Sequence, residues 1–500
     1  MAATTTDVLI SGAGAAGLAL AIELARRNVA FLLIDKSPQP FHGSRGKGIQ
    51  PRTQEVFEDM GIVDRAFAAG GLYPVQREYK DGGFVDEAMT EHRDPSPAEP
   101  YAMPLMLPQF LTEAILREKL IELSHHVRFG HELTGFKQDS SGANATVKGP
   151  TGKQTIRAKY LVGADGGRSF VRQSLGIEFP GKTLGVRALV ADLHLDGLTD
   201  DFWHRWNEGT ANQLSLCPLR GTTMFQLQAP IPLEGDVDLS AAALATMIRE
   251  RTGRSDIAVH SVSWASAYSM NARLADRYRV GRIFLAGDSA HIHPPTGGQG
   301  LNTSIQDSYN LGWKLAAALA GAPEILLASY ESERRLVAAG VLGLSTKLLD
   351  AARASGNMRR GRETQQLDLA YPASPLSFET DLRERTGAVL AGERAPDAPC
   401  VGAGGQPTRL FHLFRGTHWT LLGIDVGRAA ATPRRGLRIH TVGARGDFVD
   451  RIGHIRNAYG EAPGWFLVRP DGYVSASVAA DGIARLEGHF EAVMGKESTG

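Results

Sequence analysis

Near the amino terminus, apolar positions fall into two short runs, Val8-Leu-Ile10 and Phe31-Leu-Leu-Ile34, separated by a glycine turn and a stretch with helical spacing through Arg27. That pattern predicts a βαβ unit over 7–35. Between 111 and 123, Leu111, Ile115, Leu116 and Leu120 share one side, which predicts an amphipathic helix. Around Gly149-Pro-Thr-Gly152 the spacing becomes that of a β-hairpin, leading into an apolar strand before Asp165. From about 180 to 275 the texture changes to alternating strands at 188–195, 213–219 and 223–228, with helical spacing near 240–252. Another apolar run at 282–287 predicts a buried strand. It is followed by a helix from about 301 to 320 and helical spacing toward Leu349. The polar, glycine-containing stretch 352–366 reads as a surface loop. Gly392 to Pro399 marks a boundary, beyond which 418–422 and 465–474 read as strands of a separate α/β module.

Composition narrows the possibilities. Lysine plus arginine equals aspartate plus glutamate, 54 each, so no global field favours nucleic acid or an anionic membrane. No apolar run reaches the roughly 20 residues that span a bilayer, and the amino terminus lacks a basic, apolar leader pattern. The two cysteines, Cys217 and Cys400, form no CxxC and no zinc spacing. A soluble cytoplasmic protein is expected, with no nucleic-acid or membrane partner, as a monomer or homodimer.

Three glycine-bearing motifs then point to chemistry. Gly12-Ala-Gly14-Ala-Ala16-Gly17 lies between strand and helix, where glycines permit a tight turn and close approach of a pyrophosphate to the helix amino terminus. Asp35, with Lys36 after it, ends the next strand, where a carboxylate accepts hydrogen bonds from ribose hydroxyls. Gly163-Ala-Asp165-Gly166 and Gly287-Asp288 each place a carboxylate after a buried strand. A Gly-Asp pair alone is more often a turn or helix cap. The third motif continues through Pro294-Pro295-Thr-Gly297-Gly298-Gln-Gly300-Leu301-Asn302, a glycine-rich loop opening a helix whose N–H groups suit a reduced flavin. Three patches suited to different parts of one dinucleotide imply FAD.

These motifs, with the tail Leu467-Val-Arg-Pro-Asp-Gly-Tyr-Val474, resemble the class A flavoprotein aromatic monooxygenases, in the phenol hydroxylase-like branch with a carboxy-terminal thioredoxin-like domain. The resemblance covers nearly the whole chain and is weakest over 195–265. It implies an α/β fold: a Rossmann-like FAD-binding domain with helical extension (1–180 and 270–390), an inserted β-rich substrate domain (181–269), and a thioredoxin-like domain without CxxC (391–500). It further implies that Arg45 and Gln109 hold phosphate or ribityl oxygens, that the Leu133 backbone meets adenine, and that Asp165 and Arg168 belong to a motif shared by FAD and NAD(P)H. Asp288 would bind the ribityl chain, while Leu301 and Asn302 meet the isoalloxazine edge. Pro295, Gly298 and Gly300 line the ring loop, with Pro295 beside the reacting centre.

The activity so implied is hydroxylation of a small phenolic substrate with NAD(P)H and O2 through a flavin C4a-hydroperoxide, the cofactor carrying the hard chemistry. Tyr268 is a candidate in a proton relay, against a reading as a core or rim aromatic. Trp203, Phe225 and Trp264 are candidates for an aromatic substrate wall, which an ordinary β-domain core explains equally well. The alternatives are a Baeyer–Villiger oxygenase or epoxidase, a non-hydroxylating flavin oxidoreductase, and a flavin-binding regulatory protein. His291 and His293 read as cap or packing residues and no metal site is expected; His125 and His126 read as a solvated helix end. Arg334 and Arg335, beside Glu331 and Glu333, read as an exposed helix face.

Overall fold

The computed structural model describes residues 4–80, 82–207, 212–355, 360–379 and 388–496. Three large sheets organise the described residues, beside a small one of Gly48–Ile49, Leu105–Met106 and Gly71–Leu72. In the first, the strand Thr4–Ser11 lies between Gly152–Gly163 and Phe31–Ile34, all parallel, with Ile283–Leu285 parallel on the far side of Gly152–Gly163. Parallel strands need crossovers. The Ala15–Ala25 helix supplies one and is buried along its whole length, which suits its nearly continuous Ala/Leu/Ile composition. The Gly142–Gly149 and Gly152–Gly163 strands form the expected hairpin. The helix Gln109–Glu122 buries Ile115, Leu116 and Leu120.

In the second sheet, Gly181–Asp196 pairs antiparallel with both Phe225–Ile231 and Ala258–Leu274. One face carries Leu189, Ala191, Leu193, Phe225 and Leu227 against Leu244 and Ile248 of the Ala241–Thr252 helix. The sheet is wider than the 181–269 segment. Val75–Lys80 and Gly83–Glu87 extend it at one edge, and His291–Ile292, inside the third glycine motif, pairs with Arg273–Leu274 at the other. The polar alternation of 75–87 gave little sign of this. One strand of the sheet is thus continuous with the loop that the glycine motif builds.

The third sheet centres on Trp419–Ile424, parallel to Leu437–Val442 and antiparallel to Gly464–Val468. The helix Ile483–Met494 packs on it through Leu486, Phe490 and Val493. This module docks on the helices Gly300–Leu319 and Glu324–Ser355, where Trp313 meets Trp419 edge-on at 5.5 Å.

Two sequence expectations need correction. Residues 352–355 do not begin a loop but close the Glu324–Ser355 helix; 356–359 lie outside the described residues. Arg334 and Glu333 are not on an exposed face. Both are buried: Arg334 donates to Asp307 at 2.8 Å, and Glu333 accepts from Lys314 and Arg469 at 2.7 Å each. Arg335 lies partly buried, its Nε donating to the Ala275 carbonyl. Charges spaced like a solvent face here meet partners from distant segments.

Candidate flavin and substrate site

At the dinucleotide end, Gly12 adopts φ +107°, and a Cβ there would collide with the Ala164 backbone; a Cβ on Gly17 would strike the Gly12 carbonyl. The turn therefore brings the first motif against the second, at Ala164-Asp165. The Ala15–Ala25 helix, with Gly14 as its N-cap, has no side-chain cap, and this leaves first-turn N–H groups at Ala16 and Gly17 for a ligand. Asp35 Oδ2 accepts from the Ala13 N–H at 2.7 Å and Oδ1 from the Ser37 N–H at 2.8 Å, so the carboxylate is fixed beside the turn. Lys36 is exposed next to it, and the Asp35 carbonyl accepts from the His131 N–H, bringing the segment leading to Leu133 alongside. Leu133 itself buries its side chain in the strand Glu132–Asp139.

Glu113, not anticipated from the sequence, lies under this turn. Its carboxylate accepts from Gln109 Nε2 at 2.8 Å, and a Cβ on Gly14 would stand 3.8 Å from Oε1. Burial pushes its pKa up to about 7, with Asp35 adding to the rise and Gln109, Arg117 and the Ala15 N–H opposing it. A pyrophosphate on the same turn disfavours the charged form, so FAD should bind better to protonated Glu113. FAD affinity is expected to fall by up to about tenfold per pH unit above 7 and to be flatter in Glu113→Gln, as read by fluorescence titration of apoprotein.

At the opposite end, Asn302 ties three loops together. Its Oδ1 accepts from the Gln50 N–H, while Nδ2 donates to the carbonyls of Gly48 and Gly298. That fully occupied side chain leaves the backbone N–H groups at the start of Gly300–Leu319 as the ligand-facing feature. The helix has no side-chain cap, and the space beside Gly300 is open. Gly297 and Gly298 both have positive φ, which lets the loop turn twice ahead of the helix; Pro295 is exposed on it. Gly46 packs against Leu301, and Gln109 clamps Gly46 through its own N–H and its Oε1.

Asp288 opens to solvent yet is ringed by protein, as a residue on a cleft wall would be; burial raises its carboxyl pKa, while His291 and Arg45 oppose the rise. Arg45 is exposed, 5.7 Å from the ring centroids of Phe41 and Trp264, and it is the charged neighbour of Tyr268. Uncapped helix ends, a cleft carboxylate and open glycine loops fit an anionic dinucleotide with a flat ring.

The site-facing side of the second sheet is built by register. Trp264 stands opposite Asp192, Asp192 opposite Gln226, and Gln226 opposite Cys217, so all four project to one face. Trp203 packs with Cys217. Asp192 accepts from the Ser44 N–H at 2.8 Å and from its hydroxyl, and Gln226 donates to Ser44 Oγ at 2.6 Å. The 43–50 loop is therefore held between the third glycine motif, at Leu301 and Asn302, on one side and this face on the other.

Several sequence-derived candidates are placed differently. Phe225 is directed to the far face, a core residue and not a substrate wall, because strand alternation puts it out of phase with Gln226. Asp165 accepts from Ser169 Oγ at 2.5 Å and the Val171 N–H at 3.1 Å, holding the start of the Phe170–Ser174 helix; Arg168 is exposed beside it. Burial pushes the Tyr268 pKa up to about 12, which makes it a hydrogen-bond donor at neutral pH and not a base. His291 Nε2 donates to the Asp307 carboxylate at 2.7 Å, and burial, with His291 beside it, keeps His293 neutral. Among the described residues no three His, Cys, Asp or Glu side chains converge as a metal site, and no helix is long and apolar enough to cross a membrane.

The fold and cleft define a flavin-binding oxidoreductase scaffold facing a β-sheet wall. Comparison with known proteins makes the class specific. A profile described as FAD binding domain matches residues 5–345, and one described as aromatic-ring hydroxylase, C-terminal, matches 388–496. The chain is 44% identical over 425 residues to a flavin-dependent monooxygenase of Mycobacteroides abscessus, covering 83% of this chain and 88% of that protein. It is 35% identical over 485 residues to a rifampicin monooxygenase of Streptomyces venezuelae, covering 94% of each. A solved ternary complex of aklavinone-11 hydroxylase with FAD and aklavinone is similar with a TM-score of 0.85 and 29% identity, covering 99% of this chain and 100% of that one. The chain belongs to the FAD-dependent aromatic monooxygenases.

Proposed function

We propose that the enzyme hydroxylates a phenolic ring of an aromatic substrate of the polyketide kind on which its relatives act, with NAD(P)H as reductant and O2 as co-substrate. The observation that carries this reading is the placement of the 43–50 loop. Its backbone meets the flavin loops at Leu301 and Asn302, and its side chains meet the substrate-facing wall at Asp192 and Gln226.

Bound FAD would supply oxygen activation and transfer. Gly12, Gly14, Ala16 and Gly17 would hold its pyrophosphate, Asp35 and Lys36 its ribose end, and Leu133 its adenine. Arg45, Gln109 and Asp288 would hold the ribityl region, while Gly298, Gly300, Leu301 and Asn302 would hold the ring edge. Tyr268, protonated, donates to substrate or cofactor oxygen; Trp264 and Trp203 exclude water from the same face. Asp165 with Arg168, exposed at the rim, suits transient contact with NAD(P)H. We assign the flavin domain to 1–180 and 270–390, the substrate domain to 181–269 and a thioredoxin-like fold to 391–500. The last is supported by a mixed sheet with a packed helix and a sequence without CxxC. Two buried free cysteines accord with a reducing, cytoplasmic location.

The test is a screen of polycyclic phenols for stimulated NAD(P)H oxidation by the holoenzyme. At least one compound should stimulate it and gain one oxygen in mass. Oxidation indifferent to every phenol, with no oxygenated product, contradicts the reading.

A further inference from the structure

The polar stretch 352–366 reads from the sequence as a surface loop, yet it ends in three buried polar residues, Thr364, Gln365 and Gln366. Each reaches a different segment around the third glycine motif. The Thr364 carbonyl accepts from Gln299 Nε2 at 2.9 Å, and the Gln365 carbonyl accepts from the Arg52 N–H at 3.2 Å, just beyond the 43–50 loop. The Gln366 side chain donates through Nε2 to Gln299 Oε1 at 2.7 Å and accepts at Oε1 from Gln306 Nε2 at 2.6 Å. It does so from a left-handed backbone, φ +62°, which residues other than glycine adopt uncommonly. Such a conformation persists where surrounding bonds over-determine it, and those sites are often functional.

The three glutamine amides form a one-way chain. Gln306 Nε2, which also donates to Thr53 Oγ1 at 3.1 Å, takes Gln366 Oε1, so the Gln366 amide presents its N–H to Gln299 Oε1. Gln299 in turn donates to the Gly297 carbonyl at 2.8 Å, and Gln50 Nε2 donates to the same carbonyl at 3.1 Å. Both acceptor positions of that oxygen are filled, which fixes the peptide between Gly297 and Gly298. These two glycines have positive φ and no side chains of their own, so the amide clamp holds the turn ahead of the Gly300–Leu319 helix. Without the Gln366 N–H, Gln299 keeps its grip on Gly297 only by leaving its own buried oxygen unpaired, which is costly.

We propose that Gln366 is a positioning residue for the flavin. Through Gln299 it holds the 297–298 turn so that the N–H groups of the helical turn that follows meet the negative edge of the reduced ring. It touches neither ring nor substrate, and its effect is on the reduction potential of bound FAD, because those N–H groups favour the more negative, reduced form. This deepens the proposed function and rests on its placement of the ring edge at Gly298, Gly300, Leu301 and Asn302.

The test is the two-electron midpoint potential of bound FAD, measured in the holoenzyme without substrate against a reference dye. Gln366→Leu should lower it by about 30 mV or more, a tenfold fall in the reduction equilibrium. Gln365→Leu is the matched control. That side chain is equally buried in the same segment, but it donates to the Ala102 carbonyl and accepts from Arg93. Its loss should cost stability to denaturant and leave the potential at the wild-type value. Gln366→Gly relieves the left-handed backbone, so it supplies a folded variant if the leucine does not, and its potential should fall as well. An unchanged potential in either folded Gln366 variant, or an equal fall in Gln365→Leu, overturns the proposal. Failure of the hydroxylase reading shows separately, as NAD(P)H oxidation that no phenol stimulates, since the potential is read with no substrate present.

Discussion

Glu333→Gln should lower stability by about 3–5 kcal/mol, the largest loss expected of any single substitution outside the flavin loops. Glu333 Oε1 accepts from Arg469 at 2.7 Å and from Ser374. Oε2 accepts from Lys314 at 2.7 Å, Asn310 at 2.8 Å and Arg469 at 2.9 Å. Lys314, Glu333 and Arg469 are fully buried, so neutralising the carboxylate strands Lys314 without water and leaves Arg469 paired with Asp471 alone. Burial alone would raise the pKa of Glu333, but Arg469 and Lys314 outweigh it and hold the carboxyl low. Its folded value lies below its unfolded one. The stabilising contribution is therefore in place above the ordinary glutamate range and is lost only as pH falls into the strongly acidic range.

The cluster also joins two domains. Lys314 sits on the Gly300–Leu319 helix that follows the third glycine motif, and Arg469 on the turn between the last two strands of the carboxy-terminal sheet. Denaturant unfolding of Glu333→Gln should show a large fall in midpoint and accompanying loss of flavin. Arg428→Ala, which breaks the exposed pair with Asp447 at 3.1 Å, should stay within about 0.5 kcal/mol of wild type. Equal effects of the two substitutions would show that the buried cluster is not what joins the domains.

Gly12→Ala should weaken FAD binding by about 100-fold or more, equivalent to about 2.7 kcal/mol. Two independent costs act there: a φ of +107° that an L side chain rarely adopts, and a Cβ driven into the Ala164 backbone. Gly166→Ala separates them, since its φ is +79° but nothing lies within 4 Å of the added carbon. That variant should cost only the backbone strain, roughly 1 kcal/mol, with FAD affinity near wild type. Titration of FAD into both apoproteins reads the difference. Similar affinities would mean that the contact of the first motif with the second is dispensable.

The parts of this molecule that could be read in the sequence are those fixed by local rules. The 7–35 unit followed from an apolar run, a glycine turn and a second apolar run, and the 149–152 hairpin from its turn residues. What escaped depended on segments far apart. Arg334 looked solvent-exposed because its neighbours in sequence are charged, yet its partner Asp307 is 27 residues away. Lys47 sat in plain view between Gly46 and Gly48, but its partner Gln226 lies 179 residues on, across a sheet whose register no local pattern encodes. The 75–87 hairpin joined that sheet for the same reason. For Phe225 the sequence left wall and core equally open, because strand phase, not residue type, decides which side chains line the site.

The quantity that bears most directly on the central claim is the flavin in purified protein, extracted and measured against chain concentration. Closure of the three glycine motifs around one dinucleotide predicts FAD, and not FMN, at about one per chain after reconstitution, with an absorption band perturbed by phenolic ligands. Protein that stays colourless when incubated with FAD, or that takes up FMN equally well, would contradict the account.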